Sequence, residues 1–171
     1  MKFLALLILV LTFSVAGFGQ QEVGTSAQNF TQANMLGEDV ELANLKGKVV
    51  IMTFWSTKCE ICESEIPKLN SLVDKYKGRD VVFLGLTMNH QPMVEAYLKK
   101  KTFKFTILPN SFGVVLKYAD RDKSGRLNMG YPAHFVIDQS GEVVLKTAGF
   151  KKSEKLDSTI GGLLSSYEAG Q

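Results

Sequence analysis

A nearly continuous apolar run, Val49-Val50-Ile51-Met52-Thr53-Phe54-Trp55, is followed four residues later by the chain's only two cysteines, Cys59 and Cys62. Such a run suits a β-strand buried on both faces, which demands other elements above and below it. From Glu60 to Lys77, the residues Ile61, Glu65, Leu69, Leu72 and Tyr76 recur every three to four positions, the spacing of an amphipathic helix. The C-x-x-C therefore falls where a buried strand hands over to a helix. Pro67 lies inside that helix and predicts a kink. Gly78 predicts its end.

The rest of the chain repeats this alternation. Asn29–Asn34 and Asp39–Leu42 flank Leu36-Gly37-Glu38 and read as a short hairpin, and Lys46-Gly47-Lys48 reads as a turn. Val81–Leu86 is a second buried strand. Pro92–Lys101 is a helix with proline in its first turn, Thr106–Leu108 a short strand and Phe112–Tyr118 a short helix. Asp120–Gly130 is polar and reads as a loop. Ala133–Ile137 and Glu142–Lys146 are strands joined by a turn at Asp138-Gln139-Ser140-Gly141. Ser153 is placed to cap a last helix ending near Ala169. Buried strands separated by helices imply an α/β fold, a central sheet covered on both faces and closed by an antiparallel hairpin.

The N-terminus reads as an export signal. Lys2 precedes an apolar run of 16 residues, Phe3–Phe18, and small residues follow at Ala16-Gly17-Phe18-Gly19. The expected organisation is a signal peptide over residues 1–19 and a single domain over 20–171. The run is somewhat short of the ~20 residues needed to span a bilayer. The rival reading is an uncleaved segment that anchors the domain to the membrane. Either way the domain is expected on the extracytoplasmic side, periplasmic or equivalent, where disulfides persist. The net charge of +3 gives no reason to invoke nucleic acid, and the lysines are mostly scattered.

The chemistry concentrates in the cysteine pair. A thiol attacks as thiolate, and a helix N-terminus stabilises that anion through its dipole and unpaired amides. Lys58 acts in the same direction and Glu60 against it. Cys62, one turn in, should be less exposed. Cys59 is thus the candidate nucleophile and Cys62 the candidate resolving thiol. Glu65 lies three residues beyond Cys62 on the same helix face and is a candidate proton relay. The bland alternative is an exposed glutamate paired with Lys68 or Lys58. Tyr131-Pro132-Ala133 precedes an apolar strand. A cis bond there would turn the preceding carbonyl and amide outward, beside the cysteines, although most X–Pro bonds are trans.

These residues carry a resemblance. Trp55, the C-x-x-C opening a helix, Pro67 five residues beyond Cys62, and Tyr131-Pro132 before Phe135-Val136-Ile137-Asp138 together resemble the thioredoxin fold. The N-terminal hairpin, Leu45-Lys46-Gly47-Lys48, the Phe-Trp-Ser-Thr lead and Gly141 resemble its extracytoplasmic TlpA/ResA-type branch, over roughly residues 23–168. The resemblance implies a central mixed sheet flanked by helices on both faces, with an extra N-terminal β-hairpin. It implies a cis Pro132 opposite Cys59, an acid role for Glu65, and a substrate-binding surface that includes Trp55, Lys58, Tyr131 and Pro132. It also implies disulfide-containing protein substrates, apocytochrome c among them, and a membrane electron donor. The chain departs from the branch at Lys58, where tryptophan is usual, and at Ala133, where threonine is usual. It departs from thioredoxin itself at Thr53, where thioredoxin has a buried aspartate. Glu65 is then the acid available near the pair.

The same residues bear on other readings. A zinc site needs four ligands, and His90 and His134 lack the spacing to complete one with the cysteines, so neither metal nor cofactor is expected. His134 reads as a surface or packing residue. Ser56, three residues before Cys59, suits a peroxiredoxin-like peroxide reductase, but the proline expected four residues before it is Met52. A non-catalytic binding module on the same fold is the remaining alternative.

Overall fold

No side chain of Val49–Phe54 reaches solvent, and the strand they form, β3, is the middle of the molecule. The computed structural model describes residues 20–170; the expected signal segment lies outside the described residues. A hairpin of β1 (Thr31–Ala33) and β2 (Asp39–Glu41) leads into β3. Then follow α1 (Glu60–Lys75), β4 (Val81–Leu86), α2 (Gln91–Leu98), β5 (Thr106–Leu108) and α3 (Phe112–Tyr118). After the small hairpin of β6 (Asp120–Arg121) and β7 (Leu127–Asn128) come β8 (Ala133–Ile137), β9 (Val143–Ala148) and α4 (Leu156–Ala169).

The main sheet has the order β5-β4-β3-β8-β9. β4 runs parallel to β3, and β5 to β4, as helical crossovers require; β8 and β9 are antiparallel, joined by a tight turn. This is the mixed, thioredoxin-like sheet expected, with the separate N-terminal hairpin. Alternation along β3 feeds two cores. Val49 and Ile51 meet Leu69 and Leu72 of α1, Tyr76 just beyond it, and Leu156, Ile160 and Leu164 of α4. Val50, Met52 and Phe54 meet Phe30 and Leu42 from the N-terminal segment and Val114, Val115 and Tyr118 of α3.

One transverse row of the sheet bears on the site. The register aligns Ile107, Gly85, Thr53, His134 and Thr147 across the five strands. Gly85 is required there: a Cβ would stand 2.7 Å from Ile107 Cδ1 and from Phe105 Cε2.

Three local expectations change. Ser153 does not cap the last helix. Lys151 turns the chain in the left-handed region (φ 58°), residues Lys152–Lys155 form a 3-10 turn, and α4 starts only at Leu156. Ser153 is buried instead. The polar stretch after Asp120 is not a plain loop. The Asp122 carboxylate accepts from the Ser124 and Arg126 amides, a local turn that folds β6 back on β7. The helix opened by the cysteines ends at Lys75, with Gly78 at φ 80° in the turn beyond.

Gly85→Ala should destabilise the protein by about 1–3 kcal/mol through overpacking. Urea unfolding followed by circular dichroism measures this; an unchanged midpoint would refute the tight packing of that row.

Candidate active site

The sheet ends where the chemistry begins. Beyond β3, the Trp55 amide still donates to Leu86 O (3.0 Å), and the Thr57 amide donates to Asn89 Oδ1 (2.9 Å). The Cys59 amide donates to Ser56 O (3.1 Å). These bonds hold the turn that presents Cys59 as the N-cap of α1. Its Sγ accepts from the Cys62 backbone amide at 3.1 Å, so the helix terminus directs an unpaired donor at the sulfur that would carry negative charge. Cys59 and Cys62 form a disulfide, with Cα atoms 5.2 Å apart. Cys59 is half-buried, whereas Cys62 is 4 % exposed. The asymmetry expected from helix position is present.

An aromatic floor lies beneath the pair. Trp55 packs against Phe103 (centroids 4.7 Å) and Tyr97 (5.5 Å), and with Val94 and Ile107 it forms the cluster that holds Cys62. Trp55 was expected on the substrate-binding surface. At 2 % exposure it builds the floor from inside, because β3 carries it onto the α1 face of the sheet. The Tyr97 hydroxyl donates to Glu63 Oε2 (3.1 Å), and Glu63 also pairs with Lys101.

Glu65 is 5 % exposed, not a surface glutamate. Its partner is His134. His134 Nε2 lies 3.1 Å from Glu65 Oε2, and His134 Nδ1 lies 3.0 Å from Thr53 Oγ1. His134 is wholly buried, which excludes the surface reading and leaves the packing one, now with hydrogen bonds at both ring nitrogens. It stands inside the continuous apolar run Ala133-His134-Phe135-Val136-Ile137. That was the available signal: a polar side chain in a strand buried on both faces needs a partner. Burial pushes the Glu65 carboxyl up, but the hydrogen bond from His134, the Ser153 hydroxyl, the attraction of His134 and the Lys151 amide outweigh it. The net is a pKa below the ordinary value of 4.5. Ser153 and the Lys151 amide act at longer range, since Glu65 Oε1 has no partner at hydrogen-bond geometry. An ionised carboxylate only accepts, so Nε2 carries the proton that it donates to Glu65.

Cys62 and Glu65 share a small cavity of ≈ 10 Å³, also lined by Thr53, Trp55 and Pro132. That is room for at most about one water molecule. The Tyr131–Pro132 peptide is cis, as the resemblance implied. Tyr131 is half-buried and packs, with Cys59, on the cluster that holds Cys62. The Tyr131 amide and carbonyl enter no backbone–backbone hydrogen bond among the described residues. Lys58 and Glu60 are exposed beside Cys59. His90 lies apart, exposed at the start of α2, with Nδ1 2.9 Å from Asn110 Oδ1. Among the described residues no cluster of three or more His, Cys, Asp or Glu is arranged to hold a metal ion.

The sequence model of the AhpC/TSA family matches residues 23–146. The chain belongs to the AhpC/TSA family. Thiol-disulfide oxidoreductase ResA of Bacillus thuringiensis subsp. konkukian is 31% identical over 139 residues, spanning 81% of this chain and 76% of that protein. Thioredoxin-like protein YneN of Bacillus subtilis is 29% identical over 135 residues, 77% of this chain and 74% of that one. A thiol:disulfide interchange protein of the thioredoxin family from Chlorobium tepidum is similar in structure. Its TM-score is 0.70 and its identity 27%, over 82% of this chain and 96% of that chain. This family member is a thiol–disulfide oxidoreductase: its relatives bear that description, and its own two cysteines close the required disulfide.

Stability should fall in acid. Glu65 sits below the ordinary carboxyl range, as do Glu63, held down chiefly by Lys101, and Asp157, held down chiefly by Lys75. Asp122 is lowered to about 2, chiefly by the Ser124 hydroxyl. Each binds fewer protons folded than unfolded, so its contribution is complete above the unfolded value and is lost as pH falls through the folded one. The thermal midpoint should therefore drop between about pH 5 and pH 2, and less steeply in Glu65→Gln. Calorimetry across that range would show an unchanged slope in Glu65→Gln if the carboxyl is not held down.

Proposed function

We propose that this oxidoreductase is an extracytoplasmic reductant of disulfides in partner proteins, with Cys59 as nucleophile, Cys62 as resolving thiol and Glu65 as the base for Cys62. The observation that carries the reading is the unequal burial of the pair and its acid: Cys59 half-exposed at the N-cap of α1, and Cys62 and Glu65 both buried and sharing a cavity.

The steps balance as follows. The Cys59 thiolate attacks one sulfur of the partner's disulfide, and the other sulfur leaves as a thiolate that takes up a proton. The Cys62 thiol gives its proton to Glu65, and its thiolate attacks Cys59 Sγ. The bond from Cys59 to the partner breaks, and the partner's second sulfur leaves and is protonated. The partner gains two electrons and two protons, and Cys59–Cys62 closes as a disulfide. The lowered carboxyl pKa keeps Glu65 ionised and able to accept a proton, while leaving it a weaker base than a group whose pKa lies near the operating pH.

Charge supports the reducing direction. Glu60 and Glu63 occupy the first turn of α1, where negative charge opposes the Cys59 thiolate, and the ionised Glu65 acts in the same sense; Lys58 acts against them, and Lys101 offsets Glu63 by pairing with it. A less stabilised thiolate makes a weaker oxidant. Lys58 and Tyr131 border the docking surface, with Pro132 buried behind it and the Tyr131 backbone groups, which enter no backbone–backbone hydrogen bond, available to an extended segment. Apocytochrome c, which carries paired thiols, is the partner class that the TlpA/ResA-type resemblance favours, with a membrane carrier restoring the dithiol. A cleaved segment over residues 1–19 or an uncleaved anchor would both leave the domain outside the cytoplasm; no helix among the described residues is long and apolar enough to cross a membrane.

Cys62→Ser, expressed in its own compartment, should accumulate partners linked to Cys59, and Cys59→Ser should abolish both linkage and disulfide reduction. Equilibration with a glutathione buffer should place the potential nearer to thioredoxin, about −270 mV, than to DsbA, about −120 mV. An unreactive Cys59, or turnover of peroxide without any thiol partner, would overturn the reading.

A further inference from the structure

The buried histidine beneath the site has a defined geometry that the exchange steps above do not use. Thr53, His134 and Glu65 form a continuous chain from the middle of the sheet to the carboxylate beside Cys62. Thr53 and His134 are cross-strand partners on β3 and β8, so the two strands hold the ring on its Nδ1 side. On the other side, Nε2 meets a carboxylate from α1. With Nε2 donating to Glu65, a ring that carries its proton on Nε2 can accept a hydrogen bond from the Thr53 hydroxyl at Nδ1, so the chain runs in one direction.

We propose that His134 is a positioning residue for the redox reaction, holding the Glu65 carboxylate in place to take the proton from Cys62, with Thr53 setting the tautomer that does so. This rests on the base role of Glu65 proposed above. The surroundings favour a device over mere filling of space. Glu65 has rotatable bonds enough to swing away, yet one oxygen is tied to a ring that is itself fixed at both nitrogens. Its second oxygen, Oε1, is buried and unpartnered, and the residue lines the cavity it shares with Cys62. An apolar residue at position 134 would fill the same volume but leave that carboxylate unrestrained and without its donor.

Every element packed here contributes polar groups that bear on a pH profile. α1 supplies Cys62 and Lys68, and β3 supplies Thr53. The turn before α4 supplies the Lys151 amide, Ser153 and Glu154, the last at 3.9 Å from Lys68 with both side chains exposed. β9 supplies Thr147, on the same row as His134, with its hydroxyl buried and unpartnered.

The test separates the two sulfurs. Reduced protein is mixed with one equivalent of the aromatic disulfide dithiobis(nitrobenzoate). Attack by Cys59 releases one coloured thiolate, and attack by Cys62 on the mixed disulfide releases the second. Both rates are followed from about pH 5 to pH 9, and folding is checked by circular dichroism. In His134→Phe the first release should stay within about two-fold of the parent. The second should slow about ten-fold or more at neutral pH, with its pH midpoint moved upward. His134→Gln keeps an N–H donor and should restore most of the second rate. Thr53→Val, nearly the same shape, should slow the second release while sparing the first, and it decides the matter if His134→Phe fails to fold.

Glu65→Gln is the control. If it leaves the second release unchanged, the base role falls and this inference with it. If Glu65→Gln slows that release but folded His134→Phe and Thr53→Val do not, the inference alone is overturned. Equal slowing of both releases in His134→Phe and His134→Gln overturns it too, because that is the mark of a merely structural residue.

Discussion

A strand with no exposed side chain must be covered on both faces and paired on both edges. Val49–Phe54 meets this with β4 and β8 at its edges, α1 and α4 on one face, and α3 with the N-terminal segment on the other. Each backbone group and each face has one use, so the strand leaves little freedom in where its C-terminal end emerges. That end is where Trp55 turns inward and the chain, held by bonds to Leu86 and Asn89, reaches Cys59. Placement of the reactive sulfur is thus a consequence of burying a hydrophobic strand.

The same burial creates the site's electrostatics. A face that excludes water raises the cost of any unpaired polar group, so the polar residues that β3 and β8 carry onto it must find one another. Thr53 and His134 do so across the strand pair, and Glu65 joins them from the helix. A carboxylate that would be expensive in isolation is kept ionised by a donor that the sheet itself supplies. The C-x-x-C motif and its acid lie on one helix, whereas the group holding that acid is 69 residues away in sequence.

How much could be read in advance follows from how local each signal is. Strand β3 and helix α1 were legible because continuous burial and a period near 3.6 are properties of adjacent residues. The unequal exposure of Cys59 and Cys62 was legible from their positions in the first turn. The burial of Trp55 and His134 is not legible for a shared reason: whether a residue near a strand end faces solvent or a helix depends on what packs there. The spacing of Ser153 suits a cap, but the left-handed turn at Lys151 sends it into the core beside Glu65 instead.

The amino-acid sequence by itself determined a buried strand followed by a helix that opens on the only two cysteines, and hence the redox chemistry, because hydrophobic periodicity and the N-terminal field of a helix are local physics. Only the tertiary structure decided that Glu65 is buried, that His134 is its donor, and that Trp55 supports Cys62 from below. Those outcomes depend on strand order and register, which bring β8 beside β3 and set His134 opposite Thr53, and no local pattern encodes which strands become neighbours.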